Sequence, residues 1–262
     1  MPDVVEYVLK VIELYHENYL LEDSSKKSWA KVPTYCYGHC LGAILAFEVA
    51  KALTMQVIDR DHPNEDFLIK HLVVSSSRAP HVQSVGNKDR YAKKWAMQTD
   101  TDLMNRTAQL GGVPAILRNK HRRDMLRMFI PSFRNDYAMY EKYDYIPLER
   151  KSVDDRGSID CPLTVFGCRD DKHCPDLEEV AAWELVTDYG NKAEQNSHAY
   201  FFLVGGHSWM NIAYKEKVLV DYLLSMCVGT ETEYLEPHMP SWEDEDGDED
   251  YVREVESFYG EA

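Results

Sequence analysis

Apolar residues in this chain fall into two kinds of block: long stretches that repeat every three to four positions, and short runs that are apolar throughout. Val4 to Leu20 is of the first kind and predicts a helix over about 3–21, followed by a polar linker at 22–31. The run Val32 to Tyr37 is of the second kind and predicts a buried strand at 33–37. Ala43 to Leu53 is apolar on nearly every side and predicts a buried helix at 41–54. After a polar loop at 59–66 the cadence returns as a strand at 69–75, a helical insertion over about 91–145 and a loop at 147–160. A strand at 162–167, a helix at 176–187, a loop at 188–198, a strand at 199–204 and a helix at 208–226 complete the series. Strands that alternate with helices imply a parallel sheet with right-handed crossovers, an α/β fold with a helical insertion between two of its strands. The insertion carries Leu103, Leu110, Ile116, Leu117, Met125, Leu126, Met128, Phe129 and Ile130, more apolar surface than one helix pair needs for its own packing. Some of Met125, Met128 and Phe129 are therefore expected to line an apolar channel. No internal repeat is visible.

The junction of the first predicted strand and the helix after it reads Gly38-His39-Cys40-Leu41-Gly42. This is the form of a nucleophile elbow with a thiol at its centre. A strand-to-helix turn that tight strains the central residue, so its flanks are expected to need glycine. It also leaves the central side chain at a helix N-terminus, which favours thiolate and aims the Leu41 N–H at a developing oxyanion. Two further strand ends carry complementary chemistry. The apolar stretch Cys161 to Gly167 runs into Cys168-Arg169-Asp170-Asp171-Lys172-His173, and Tyr200 to Val204 runs into Gly205-Gly206-His207. An acid at one parallel strand tip can reach a histidine on the next strand's loop. Cys40, Asp171 and His207 thus stand in the order nucleophile, acid, histidine, each behind an apolar strand. Of the six cysteines, Cys40 is expected to be the reactive one.

These residues resemble the discrete type II thioesterases that accompany polyketide and nonribosomal peptide synthetases, members of the α/β-hydrolase superfamily. The resemblance continues through Val73 to His81, with its terminal Ala79-Pro80-His81, and through the lid segments Leu110 to Pro114 and Phe133 to Tyr137. Lys142-Tyr143, Cys161-Pro162 and Gly205-Gly206-His207 keep the register, so the likeness spans about Val4 to Met226. It implies that Cys40 attacks an acyl thioester held on the phosphopantetheine arm of a carrier protein, that His207 moves the proton and that Asp171, rather than Asp170, orients the imidazole. Two departures stand out. The family usually has serine where this chain has Cys40, and a thioester acyl-enzyme stays activated, so an acyltransferase is the alternative enzyme. The family also begins with further strands and a loop bearing a second oxyanion donor, whereas a single helical pattern precedes the nucleophile strand here. The expectation is an N-terminally truncated hydrolase in which Thr34 to Tyr37 form an exposed edge for self-association. Turnover would then be slow, since one missing donor costs roughly 2.7–4 kcal/mol. A catalytically inactive binding module is the reading outside enzymology.

Charge and cysteine usage narrow the partners. The 262 residues carry a net charge of −16, but thirteen acids and one base lie in residues 231–262, leaving −4 for residues 1–230. The expected organisation is one hydrolase domain over 1–230, with its lid at about 91–145, and an acidic disordered tail over 231–262 that serves solubility. This distribution disfavours nucleic acid. No run approaches the length of a membrane-spanning helix, and Met1 to Lys10 lacks the form of a signal peptide. The six cysteines then read as reduced thiols of a cytoplasmic protein. Cys168, His173 and Cys174 match no common zinc spacing, so neither a metal nor another cofactor is expected.

Overall fold

In a computed structural model, the described residues are 1–22, 34–59, 69–89, 94–109, 125, 127–148, 159, 161–174, 177–187, 198–203, 207 and 213–228. Residues 1–209 make up one unit. It opens with helix α1 (Pro2–Glu22), strand β1 (Thr34–His39), helix α2 (Leu41–Asp59) and strand β2 (Ile69–Ser75). Helix α3 (Pro80–Lys88), a single 3₁₀ turn at Trp95–Met97, α4 (Asp100–Gln109) and α5 (Ile130–Glu141) follow. Strand β3 (Leu163–Cys168), the short helix α6 (Leu177–Ala181) and β4 (His198–Leu203) come next. Residues 210–262 make up a second unit, whose described part is helix α7 (Ala213–Val228). The acidic tail at 231–262 lies outside the described residues.

The four strands are parallel and ordered β1-β2-β3-β4. The two central strands carry the burial expected of a sheet covered on both faces: Leu72, Val73 and Val74 of β2 have no exposed surface, and every residue of β3 is buried. Helix α2 supplies the opposing layer through Ala43, Ile44, Phe47, Ala50 and Leu53, all at most 1% exposed. Burial of each of the Ile44, Phe47 and Leu53 side chains is worth about 1.5–3 kcal/mol. Val5, Val8, Leu9 and Ile12 of α1 pack against the same core. Trp183 closes it, its ring edge-on to Phe47 at 6.1 Å and its indole N–H donated to the Ser77 carbonyl at 2.8 Å.

Register brings the C-terminal strand ends level, where ligands of open α/β sheets bind. His39 pairs with Ser75 and Ser75 with Phe166. Past these positions the Cys40 N–H donates to the Ser75 carbonyl and the Ser76 N–H to the Phe166 carbonyl, both at 2.9 Å, so three strand ends are stitched together.

Several expectations need correction. β1 runs on through Gly38 and His39, because helix α2 starts directly behind the turn. The helix expected at 176–187 breaks into α6 and a 3₁₀ stretch at Ala182–Val186. A helix at 80–88 was not expected, although Pro80 at its first turn is a recognised start signal. Within the insertion, α4 and α5 form while 110–124 lie outside the described residues. Only one flanking glycine of the elbow is sterically required. A Cβ on Gly38 would sit 2.1 Å from the Gly42 carbonyl oxygen, whereas one on Gly42 would meet nothing within 4 Å. Lastly, β1 ends the sheet among the described residues, yet Thr34 to Tyr37 are half-buried, not exposed.

Candidate active site

Cys40 occupies the turn between β1 and α2 with φ of 54°. That is left-handed backbone, which costs a residue with a Cβ roughly 1–2 kcal/mol. Its surroundings over-determine it: its N–H is bonded to Ser75, its carbonyl accepts the Ala43 N–H at 3.0 Å, and Gly38 lets the first turn of α2 lie directly on the strand. Leu41 opens α2, so its N–H is among the four at a helix start that lack an intrahelical acceptor.

Asp171 and His207 meet beside this turn. The imidazole Nδ1 lies 3.0 Å from both carboxylate oxygens of Asp171, so Nδ1–H is the donor. Asp171 is fully buried and its Oδ1 also accepts the His173 backbone N–H at 2.8 Å, whereas the neighbouring Asp170 is exposed. Burial opposes charge on Asp171, but the hydrogen bond and charge of His207, with the His173 N–H, hold its pKa below the usual carboxylate value. Burial likewise opposes charge on His207. The hydrogen bonds to Asp171 and Cys40, and the charges on both, overcome it and raise the imidazole to about 10. Cys40, Asp171 and His207 are thus brought together, with the charged form of the His207 imidazole favoured.

Two further imidazoles flank His207. The ring of His39 lies 5.1 Å away, and that of His173 stands edge-on at 5.2 Å. Burial, then the positive charge of His207, push His39 down to about 4 and His173 to about 3, so both are neutral near pH 7. His39 Nδ1 shares a 2.8 Å hydrogen bond with Ser75 Oγ, which Tyr37 also reaches at 3.1 Å because residues two apart on a strand share a face. His173 Nε2 is bonded to the Tyr140 hydroxyl at 2.9 Å. Tyr137 and Tyr140, one turn apart on α5, are both close enough to Cys40 for its charge to oppose their ionisation, after burial the next largest such influence on Tyr140. None of His39, His173, Tyr137 or Tyr140 was singled out for the site from sequence. The histidines carried a usable signal, one immediately before Cys40 and one two residues after Asp171. The tyrosines carried none, since only the fold brings α5 here.

The remaining candidates sort differently. Met125, Met128 and Phe129 are 52%, 78% and 49% exposed. Leu103 and Ile130 are buried, while Leu110, Ile116, Leu117 and Leu126 lie outside the described residues. Cys36, Cys40, Cys161, Cys168 and Cys174 are free thiols, and burial pushes Cys36 up to about 11. Among the described residues no three His, Cys, Asp or Glu are grouped to hold a metal, and no helix is long and apolar enough to cross a membrane.

A parallel sheet whose strand ends present, in chain order, a thiol at a strained turn, a buried carboxylate and a histidine is α/β-hydrolase-like. Within that class the chain belongs to the thioesterase domain family, whose pattern matches residues 26–208. It is 25% identical over 195 residues to the linear gramicidin dehydrogenase LgrE of Brevibacillus parabrevis, covering 73% of this chain and 64% of that one. It is 22% identical over 156 residues to the probable anguibactin biosynthesis thioesterase AngT of Vibrio anguillarum, covering 58% of this chain and 51% of AngT. The chain therefore spans between half and two thirds of the length of these relatives. Among solved structures, the RedJ thioesterase of the prodiginine pathway of Streptomyces coelicolor superposes with a TM-score of 0.56 at 27% identity, over 82% of this chain and 64% of RedJ.

Proposed function

We propose that the chain hydrolyses acyl thioesters presented on the phosphopantetheine arm of a carrier protein, in the cytoplasm. The observation that carries this reading is the His207–Asp171 pair set against Cys40 at a left-handed turn on a helix N-terminus. Cys40, as thiolate beside the His207 imidazolium, adds to the thioester carbonyl, and the Leu41 N–H supports the oxyanion. Collapse expels the carrier's thiol, which takes its proton from His207, and leaves an acyl group on Cys40. The neutral imidazole then removes a proton from water as it attacks, the acid is released and the thiolate–imidazolium pair is restored. Asp171 keeps the Nδ1–H tautomer throughout. Relatives named for gramicidin, anguibactin and prodiginine biosynthesis support a carrier-bound substrate.

Exchange of one thioester for another is nearly isoenergetic, so the Cys40 acyl-enzyme remains able to acylate an amine, alcohol or thiol. This favours acyl transfer as the second reading. Incubation with an acyl-pantetheine probe distinguishes the outcomes. A Cys40 adduct that decays to free acid is expected. Decay only in the presence of an added acceptor would replace hydrolysis by transfer. No adduct at Cys40 would overturn both and leave a binding module.

A further inference from the structure

The chain of contacts behind Asp171 has no part in the steps above. His173 touches the site twice. Its backbone N–H fixes Asp171 Oδ1 at 2.8 Å, and its ring packs edge-on to His207, 70° between planes. The far side of the same ring is anchored to α5: Tyr140, 5% exposed, bonds Nε2 at 2.9 Å, its ring tilted 37° to the imidazole at 5.3 Å between centroids. Tyr140 belongs to the insertion, 33 residues before His173, so this bond joins two separately built parts of the domain. The Ser77 hydroxyl donates to the Arg78 carbonyl at 3.2 Å, which leaves Ser77 only as a distant acceptor for Tyr140, at 3.5 Å. The shorter contact is the one that favours the Tyr140 proton, an arrangement in which His173 Nε2 accepts and the ring's own proton sits on Nδ1.

We propose that Tyr140 and His173 are positioning residues, a phenol–imidazole strut that ties the insertion helix α5 to the acid loop and holds Asp171 and His207 in register with Cys40. The inference rests on the hydrolytic reading for its catalytic consequence, but the strut itself is independent of substrate. The groups facing His173 are Asp171, His207, Tyr140, Arg106 and Arg78, of which only Asp171 would welcome a charge on the ring. A protonated His173 would repel His207 and surrender its acceptor for Tyr140. Loss of the phenol hydroxyl removes the donor that keeps Nε2 unprotonated and the ring fixed.

The test uses the full chain, with two readouts that do not require turnover. In the wild-type protein, the imidazole nitrogen NMR shifts of His173 at pH 7 are expected to show a neutral Nδ1–H tautomer. An imidazolium, or an Nε2–H tautomer, overturns the strut. In Tyr140→Phe and His173→Leu, the pH profile of Cys40 alkylation is expected to shift and its plateau rate to fall about tenfold. His173→Gln, whose amide oxygen can accept from Tyr140, restores most of it. With an acyl thioester, kcat is expected to fall by a similar factor at nearly constant KM, the mark of lost transition-state alignment. Profiles and kcat unchanged in both variants overturn the inference while leaving hydrolysis standing. Shifted alkylation in a protein that releases no acid leaves the strut and removes the hydrolytic reading. If the variants fail to fold, the wild-type nitrogen shifts decide alone.

Discussion

Cys40 and Cys36 lie four residues apart, yet their surroundings set them to opposite uses. Cys36 sits in β1 against the core with its pKa pushed up to about 11, so it stays a thiol at neutral pH. Cys40 stands at the helix start beside an imidazolium. A substoichiometric alkylating agent at pH 7, followed by peptide mapping, should mark Cys40 and leave Cys36 untouched until the protein unfolds. The two adjacent aspartates differ in the same way. Asp171→Asn should lower acyl release roughly 10⁴-fold by presenting the wrong hydrogen-bonding partner to Nδ1–H, as loss of a triad carboxylate does elsewhere. Asp170→Asn should change it less than about twofold, since its side chain is exposed and it is Asp171 that holds the imidazole. The residues of the proposed triad were legible because each follows an apolar strand and the three come in a telling order. His39 and His173 were visible only as neighbours of those residues. Tyr140 was not legible at all, because its role depends on where α5 lands, and helical periodicity does not encode that.

At the scale of elements, the β1–α2 junction depends on one close approach. Gly38→Ala would drive a Cβ into the Gly42 carbonyl at 2.1 Å, a contact with backbone that cannot be relieved by a rotamer change. It should cost about 3 kcal/mol or more, read as a lowered urea midpoint at unchanged m-value. Gly42→Ala enters open space in the first turn of a helix and should be neutral or stabilising by up to about 1 kcal/mol. A pattern of two glycines thus hides two unlike roles, and only coordinates separate them. Elsewhere strands were easier to place than helices. β2 was expected at 69–75 and found there, since its buried stretch Leu72 to Val74 is a continuous apolar run. α3 has no signature of this kind, because its nine residues bury only Pro80, Gln83 and Ser84, too few apolar positions to establish a helical period.

Across the whole molecule, the three adjacent histidines shape how stability responds to pH. His39 and His173 titrate at about 4 and about 3 when folded, below the ordinary 6.5, so the unfolded chain binds more protons at these sites. Their contribution is complete above pH 6.5 and is lost as pH falls toward 4 and then 3, at up to about 1.4 kcal/mol per pH unit for each ring. His207 works in reverse. Its pKa of about 10 means that its contribution is present below 6.5 and lost as pH rises through 10. Urea titrations across pH should therefore show greatest stability near pH 6.5, with the acid limb shallower in His173→Gln than in the wild type.

The depth of the Asp171–His207 pair also separates it from the solvent's ions. Asp171 has no exposed surface and His207 has 6%, whereas surface pairs such as Lys10–Glu6 and Lys88–Asp144 stand in water. Raising salt from 0.1 M to 1 M shortens the Debye length from about 10 Å to about 3 Å, which dissolves the influence of the surface pairs but finds no counterions to place around the buried one. The rate at which a neutral alkylating agent reacts with Cys40 should accordingly stay flat across that range. Recognition of a charged carrier protein would not be so protected. Salt should therefore alter KM and leave kcat where it was, dividing the reaction into an outer part that ions can reach and an inner part that they cannot.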